Sequence, residues 1–411
     1  MKILLVNPRI PDTYWSFKHA LKFISKKASS PPLGLLTVAA MLPESWERKV
    51  VDLNVEELHN KAILWADFVF ISAMSVQKDS VFQIIERCKK LGKRIVAGGP
   101  LFTGEPETFK DVEHLILNEA EITFPLFLED LKHKRAKKSY STAAFADMSE
   151  TPPPDYSLVN VSNYSQLSIQ FSRGCPFSCE FCEITALLGH KVRTKSTVQI
   201  IHELDNIYSS GYRGSVFFVD DNFIGNRKIL KEDLLPQIVK WMRVHKNPFA
   251  FTTEASINLS DDAELLALMV RAGFVKVFIG IESPDKDSLV ECNKLLNVKR
   301  DMMECVQKIH SAGIEVSAGF IVGFDSDTPG IFQRQIDFIQ RSGIITAMVG
   351  LLNAPNRTKL YHRLFKEGRI LKRSDGNNTS MSLNFIPKMD KEVLLNGYQH
   401  ILSSIYSRKA Y

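Results

Sequence analysis

Cysteine is scarce in this sequence and unevenly placed: six residues in 411, three of them crowded into positions 175–182. That excludes a disulfide scaffold, the device of small secreted chains without a sufficient core. Long apolar runs are missing as well. The longest uncharged apolar stretch, about residues 33–42, falls short of the roughly 20 residues that span a bilayer, so no transmembrane segment is expected. No secretory leader is visible in Met1-Lys2-Ile3-Leu4-Leu5-Val6-Asn7-Pro8, whose apolar run is short and has no small-residue cleavage site. A cytoplasmic location with reduced thiols is the expectation, and the cysteines read as ligands or core residues. A strong charge of one sign is absent too. The 52 Lys and Arg against 46 Asp and Glu leave only +6, which gives no reason to expect a nucleic-acid partner.

What is present is globular material, 45% hydrophobic and 24% charged, in a length that predicts two or three domains. Residues 1–135 alternate between β-rich runs (2–6, 50–53, 68–73, 94–97, 114–117) and helical patterns. In the clearest helix Val81, Ile84, Ile85, Cys88 and Leu91 share one face. Such alternation predicts a parallel sheet with helices on both faces, whose ligands bind at the carboxyl ends of the strands. Gly98-Gly99-Pro100 lies at one such end. Residues 136–160 break the pattern with a basic run around Lys132-His133-Lys134-Arg135 and Lys137-Lys138, and with Thr151-Pro152-Pro153-Pro154. They read as a linker, with a phosphate or an acidic protein the alternative partner for the basic run. A second alternating series follows over 161–355. Its six candidate strands (167–171, 215–219, 249–253, 276–281, 315–322, 347–351) fit a partial (βα)6 barrel with its chemistry at the strand carboxyl ends. Residues 356–411 read as a short, mostly helical C-terminal region. The fold class is therefore α/β throughout.

The densest signal is Arg173-Gly174-Cys175-Pro176-Phe177-Ser178-Cys179-Glu180-Phe181-Cys182. Three close thiolates are soft ligands suited to zinc or an iron–sulfur centre. Zinc favours four ligands, and only His190 is a nearby candidate for the fourth. Three thiolates instead leave one iron of a four-iron cluster open. Cys88, Cys292 and Cys305 lie in helical patterns and read as core.

C-x3-C-x2-C after a barrel's first strand resembles the signature of the radical SAM superfamily. The resemblance implies a 4Fe-4S cluster on Cys175, Cys179 and Cys182 whose open iron binds S-adenosylmethionine (SAM), and a reducing electron donor as partner. It implies SAM contacts from Phe181, from Ile321 and Gly323 of a G-x-I-x-G pattern, and from Glu254, Ser256 and Glu282 at strand ends. Asp220-Asp221-Asn222 stands where many relatives carry Gly-Gly-Glu for the SAM amino group, which puts that contact in doubt. The first domain resembles the Rossmann-like cobalamin-binding domain of one branch of the superfamily. It implies cobalamin against Asn7, Pro8, Pro32, Gly34, Ser72, Met74, Ser75, Gln77, Gly98, Gly99, Pro100, Asn118, Glu119 and Glu121. The D-x-H-x-x-G of histidine-ligating cobalamin proteins is absent, so no histidine lower ligand is expected, and the 74–77 loop is expected to face the lower side. Pro11–His19 and 218–225 resemble a subgroup containing hopanoid C-methylases and the archaeal methyl-coenzyme M reductase glutamine C-methyltransferase. The implied activity is methylation of an unactivated sp3 carbon: a deoxyadenosyl radical removes hydrogen and methylcobalamin delivers the methyl group. The polar Lys372-Arg373-Ser374-Asp375-Gly376-Asn377-Asn378 loop favours a protein or peptide substrate, a glutamine side chain, over a lipid. A hopanoid or other lipid methylase, or a non-methylating cyclase, is the alternative.

Overall fold

A computed structural model describes residues 1–408 and divides the chain into two compact units, residues 1–169 with 194–214, and residues 170–193 with 215–411. Among the described residues no helix is long and apolar enough to cross a membrane.

The first unit holds a parallel sheet whose spatial order is Glu47–Asp52, Lys2–Asn7, Phe68–Ser72, Arg94–Gly98, His114–Ile116 and Ser139–Tyr140. The first strand explains the architecture. Leu4 and Val6 face one apolar cluster with Ile84, Ile85 and Cys88 of helix Lys78–Lys90; Ile3 and Leu5 face another with Leu35, Phe124 and Phe127. Alternating side chains point to opposite faces of a strand, so a run apolar at every position must be covered on both sides. The strand order reverses between Lys2–Asn7 and Phe68–Ser72, the switch point at which doubly wound sheets open a crevice.

The five expected strands of this unit form, and the expected linker adds a sixth. Leu115 N donates to Lys138 O at 2.9 Å and Leu117 N to Tyr140 O at 2.9 Å, which draws residues 138–140 onto the sheet edge. Helix Thr197–Ser209, which the spacing pattern assigns to the barrel, clusters with the first unit. Gln199 closes its capping box with Ser196 and reaches the carbonyls of Met148, Ser149 and Thr151 within 3.2 Å.

In the second unit the strands Gly214–Phe218, Phe249–Ala255, Phe274–Glu282, Glu315–Val322 and Thr346–Leu351 lie side by side in chain order, the last four pairing in parallel. Sequential parallel neighbours joined by helices are the barrel progression the spacing predicts. A strand also forms at Gln166–Ile169, ahead of the cysteines. Helices Lys359–Lys366 and Lys391–Ile405 are the helices of the C-terminal region, and residues 367–390 between them carry none, so the region is less helical than expected. Leu360 and Leu364 bury themselves in a cluster with Phe324, Phe385 and Cys292, against which Phe181 and Ile321 pack. Cys88, Cys292 and Cys305 are buried, as core cysteines should be.

Candidate active site

The cysteine loop is held by backbone geometry. Gly174 sits at φ +93°, and a Cβ there would stand 2.5 Å from Lys191 O, so no other residue fits without movement. Cys175 N donates to Gly189 O at 3.2 Å, folding the chain back beneath the loop. Ahead of it, the buried Asp220 carboxylate accepts from Phe171 N at 3.1 Å and from Ser172 N and Oγ. Asp220 is thus spent on bracing the entry to the loop. Cys175, Cys179 and Cys182 are part-exposed free thiols. Burial pushes all three up, Cys182 to about 12, so iron that binds must displace protons. Among the described residues no three such side chains converge on a single ion. The donor set is three thiols on one loop, which suits a cluster whose irons meet separate thiolates.

Around this loop the strand ends present acids. Burial, then Asp221 and Asp220, push Glu254 up to about 8; burial pushes Asp221 up to about 6. A carboxyl pair gathered at such cost to its ionised forms fits a cationic ligand. Ser256, expected as a SAM contact, is engaged within the protein: its Oγ lies 2.6 Å from Asn258 Oδ1 and 3.2 Å from Asn222 Oδ1. Glu282 occupies the left-handed region at φ +66°, where a bulge shifts the register between Gly280 and Glu282. Asn297 Nδ2 takes up the freed carbonyls of Gly280 and Ile281 at 3.0 and 3.1 Å. The turned glutamate meets Lys294 Nζ at 2.7 Å. Burial pulls that ammonium down, but Glu282 and Cys179 outweigh it and its pKa rises. One Glu282 oxygen is therefore already held by a cation that neither motif nor periodicity revealed.

The apolar wall is in place. Phe181 lies 6.4 Å, centroid to centroid, from Phe324, and Ile321 joins the same cluster. Gly323 sits at φ +107°, and Asp327 accepts from Gly323 N at 2.8 Å and Phe324 N at 3.1 Å. Gly319 is needed because a Cβ there would stand 2.9 Å from the Phe278 ring.

In the first unit the predicted residues gather along the carboxyl edge of the sheet. Ser72, Ser75, Gly98, Gly99 and Asn118 stay part-exposed, and Met74, Pro100 and Gly34 are exposed, although the strands they follow are buried. A Cβ on Gly34 would meet nothing within 4 Å, whereas one on Gly99, at φ +93°, would lie 2.9 Å from Ser72 Oγ. A rim of small residues fits a wide, flat ligand that must approach the backbone. Other candidates are turned inward. Gln77 is buried; its Nε2 reaches Pro8 O at 2.5 Å and Asn7 Oδ1 at 3.2 Å, and its Oε1 accepts from Met74 N at 2.9 Å. Asn7 Nδ2 donates to Asp52 Oδ1 at 2.9 Å, and Tyr164 OH to Asp52 Oδ2 at 3.0 Å. These hydrogen bonds hold Asn7 and Gln77 against the protein, and Gln77 pins the 74–77 loop. Glu119 is buried, Glu121 Oε1 accepts from Thr151 Oγ1 at 2.8 Å, and Pro32 leads into helix Leu33–Ala40.

Comparison with known proteins adds three family matches: the radical SAM superfamily over residues 169–339, a B12 binding domain over 24–128, and a domain of unknown function (DUF4070) over 358–411. The chain is 42% identical over 414 aligned residues to an uncharacterized methyltransferase of Synechocystis sp., covering all of this chain and 77% of that one. It is 36% identical to the hopanoid C-2 methylase of Rhodopseudomonas palustris, covering 96% and 75%. The fold matches the cobalamin-dependent SAM radical enzyme OxsB with a TM-score of 0.76 at 18% identity, covering 98% of this chain and 66% of that one.

Proposed function

We propose, from the premise that this chain belongs to the cobalamin-dependent radical SAM methyltransferases, that it methylates an unactivated sp3 carbon of an apolar polycyclic lipid of the hopanoid class. The observation that carries the substrate class is the 36% identity to a hopanoid C-2 methylase, which runs through both units and the C-terminal region. The preference for a peptidyl glutamine, read from one polar loop, finds no support among the relatives.

In this reading Cys175, Cys179 and Cys182 hold the cluster, and Phe181, Ile321 and Gly323 line the adenine. Glu254 and Asp221 face the cationic end of SAM, where a positive charge relieves their crowding. Glu282 keeps one oxygen on Lys294 and offers the other to the ribose. The corrin lies on the rim formed by Gly34, Ser72, Ser75, Gly98 and Gly99. The 74–77 loop contains no histidine, and Gln77 is engaged with Pro8, so this loop would offer a bound corrin no imidazole. When bound, the cluster supplies the electron that cleaves SAM and the corrinoid carries the methyl group. A reductant is required.

The test is an anaerobic assay with cluster, hydroxocobalamin, a strong reductant and methyl-deuterated SAM. One arm offers a detergent-solubilised hopanoid and the other a glutamine-containing peptide. The expected result is a labelled methyl on the hopanoid and none on the peptide. Label on the peptide alone would overturn the lipid assignment; deoxyadenosine without any methyl transfer would point to the cyclase alternative.

A further inference from the structure

The middle of the cysteine loop is gripped from two sides. Residues Ser178 and Glu180, which flank Cys179, make two hydrogen bonds to one corner of the barrel unit: Asn293 Nδ2 to Ser178 O at 2.9 Å, and Glu180 N to Cys292 O at 2.9 Å. The remaining contacts come from the C-terminal helix Lys359–Lys366. Leu360 N donates to Glu180 O at 3.0 Å, and Lys359 Nζ to Ser178 Oγ at 2.5 Å. Arg363 forks the Glu180 carboxylate, Nε to Oε1 at 2.8 Å and Nη2 to Oε2 at 3.0 Å. Its remaining nitrogen donates to Asp325 Oδ2 at 2.9 Å. Arg369 in turn donates to both Asp325 oxygens, at 2.6 and 2.8 Å. Asp325 N is itself anchored on Glu291 Oε1 at 2.9 Å. Beneath the polar contacts Leu360 and Leu364 are buried in the cluster that Phe181 joins.

These contacts have a chemical purpose. The loop over 174–183 has no helix or strand of its own, so its hold on three thiolates depends on outside support. Glu180 adds a carboxylate beside thiolates that already repel one another. A bidentate guanidinium neutralises it and fixes its plane, which a lysine cannot do. Supports one shell out from a metal commonly govern its retention.

We propose that helix Lys359–Lys366, braced by Arg369, is a clamp on the cluster loop, with Arg363 as its positioning residue acting on Cys179 through Glu180. This rests on the reading that the three cysteines hold iron. It gives a role to the first helix of a segment matched by a domain of unknown function.

The test uses anaerobically reconstituted full-length protein and the variants Arg363→Gln, Arg363→Lys, Glu180→Gln and the Arg363→Gln/Glu180→Gln double. Iron release to a ferrous-iron chelator is followed alongside the melting temperature of each iron-free protein. Release is expected to quicken roughly 10–100-fold in Arg363→Gln, with partial recovery in Arg363→Lys. The double variant should be no worse than the poorer single, because the two side chains act as one contact. The iron-free melting temperatures of Glu180→Gln and wild type should agree within a few degrees. Wild-type release rates in both Arg363→Gln and Glu180→Gln would overturn the clamp. Should Arg363→Gln fail to fold, Glu180→Gln decides, since its change lies on the loop alone. A wild-type protein that takes up no iron would sink the cluster reading instead.

Discussion

The two candidate sites hold their ligands by opposite means. In the barrel unit, side chains are left chemically unsettled: thiols pushed up by burial, Glu254 and Asp221 crowded, Glu282 twisted into left-handed backbone. In the first unit the polar side chains are settled among themselves. Asn7, Asp52, Gln77 and Tyr164 form a closed hydrogen-bonded group, and the rim beside it is made of glycine, serine and proline. The first arrangement would suit charge and metal. The other offers shape. A ligand with a full positive charge and a cluster with open valence need the first kind; a large neutral-faced macrocycle needs the second.

That contrast can be broken most decisively at the thiols. Cys179→Ala should remove the cluster and all deoxyadenosine formation while leaving cobalamin uptake at the wild-type level, checked by iron analysis, product chromatography and corrin absorbance. Loss of cobalamin together with iron would show that the two sites are not independent. The converse substitution is Gly99→Val, which adds volume to the rim at φ +93°. It should cost about 1–3 kcal/mol of stability through strained backbone and weaken cobalamin binding at least tenfold, with iron content unchanged.

Acidity sharpens the comparison. The Glu254 carboxyl has an ordinary pKa of 4.5 and is raised to about 8 in the fold. Below about pH 4.5 it is neutral in folded and unfolded chains alike and costs nothing. As pH rises towards 8 the unfolded chain ionises and the folded one resists, so stability falls across that window. Glu254→Gln should therefore stabilise the SAM-free protein at pH 8 by roughly 2–4 kcal/mol after solvent screening, and by little at pH 5. The same variant should bind SAM roughly tenfold more weakly. Urea denaturation at the two pH values and SAM titration check both. The smallest effect belongs to the other unit. Asn7→Ala should cost about 1.5 kcal/mol, read by the same urea denaturation, because it removes a buried hydrogen bond to the Asp52 carboxylate.

Much of this was legible in the sequence, for reasons that are local. The alternating runs announce both parallel sheets, because buried strands must be apolar on both faces. The spacing of Cys175, Cys179 and Cys182 marks them as candidate ligands, and the family resemblance supplies the expectation of a cluster. The glycine at 99 marks a positive φ that only the coordinates could measure. The residues the pattern did not reveal are those whose partner lies far along the chain. Lys294 meets Glu282 across 12 positions, Asp220 meets Ser172 across 48, and Glu180 meets Arg363 across 183. No periodicity encodes such pairs. Gln77 and Ser256 were expected to face ligands and are spent inside the protein, because a side chain's residue type states what it can bond and not what it has already bonded. Helix Thr197–Ser209 shows the same limit: its pattern is helical, but its place depends on Gln199 finding the carbonyls of 148–151.

The separation of Glu180 from Arg363 also bears on how the protein is made. With 183 positions between them, the cysteine loop emerges from the ribosome long before its second grip exists. At roughly 5–20 residues per second, that interval lasts about ten to forty seconds, during which the loop is tethered from one side at most. Iron delivered in that window would meet thiols not yet held in place. On the clamp proposal, a firmly retained cluster is expected only once the helix that carries Arg363 has arrived.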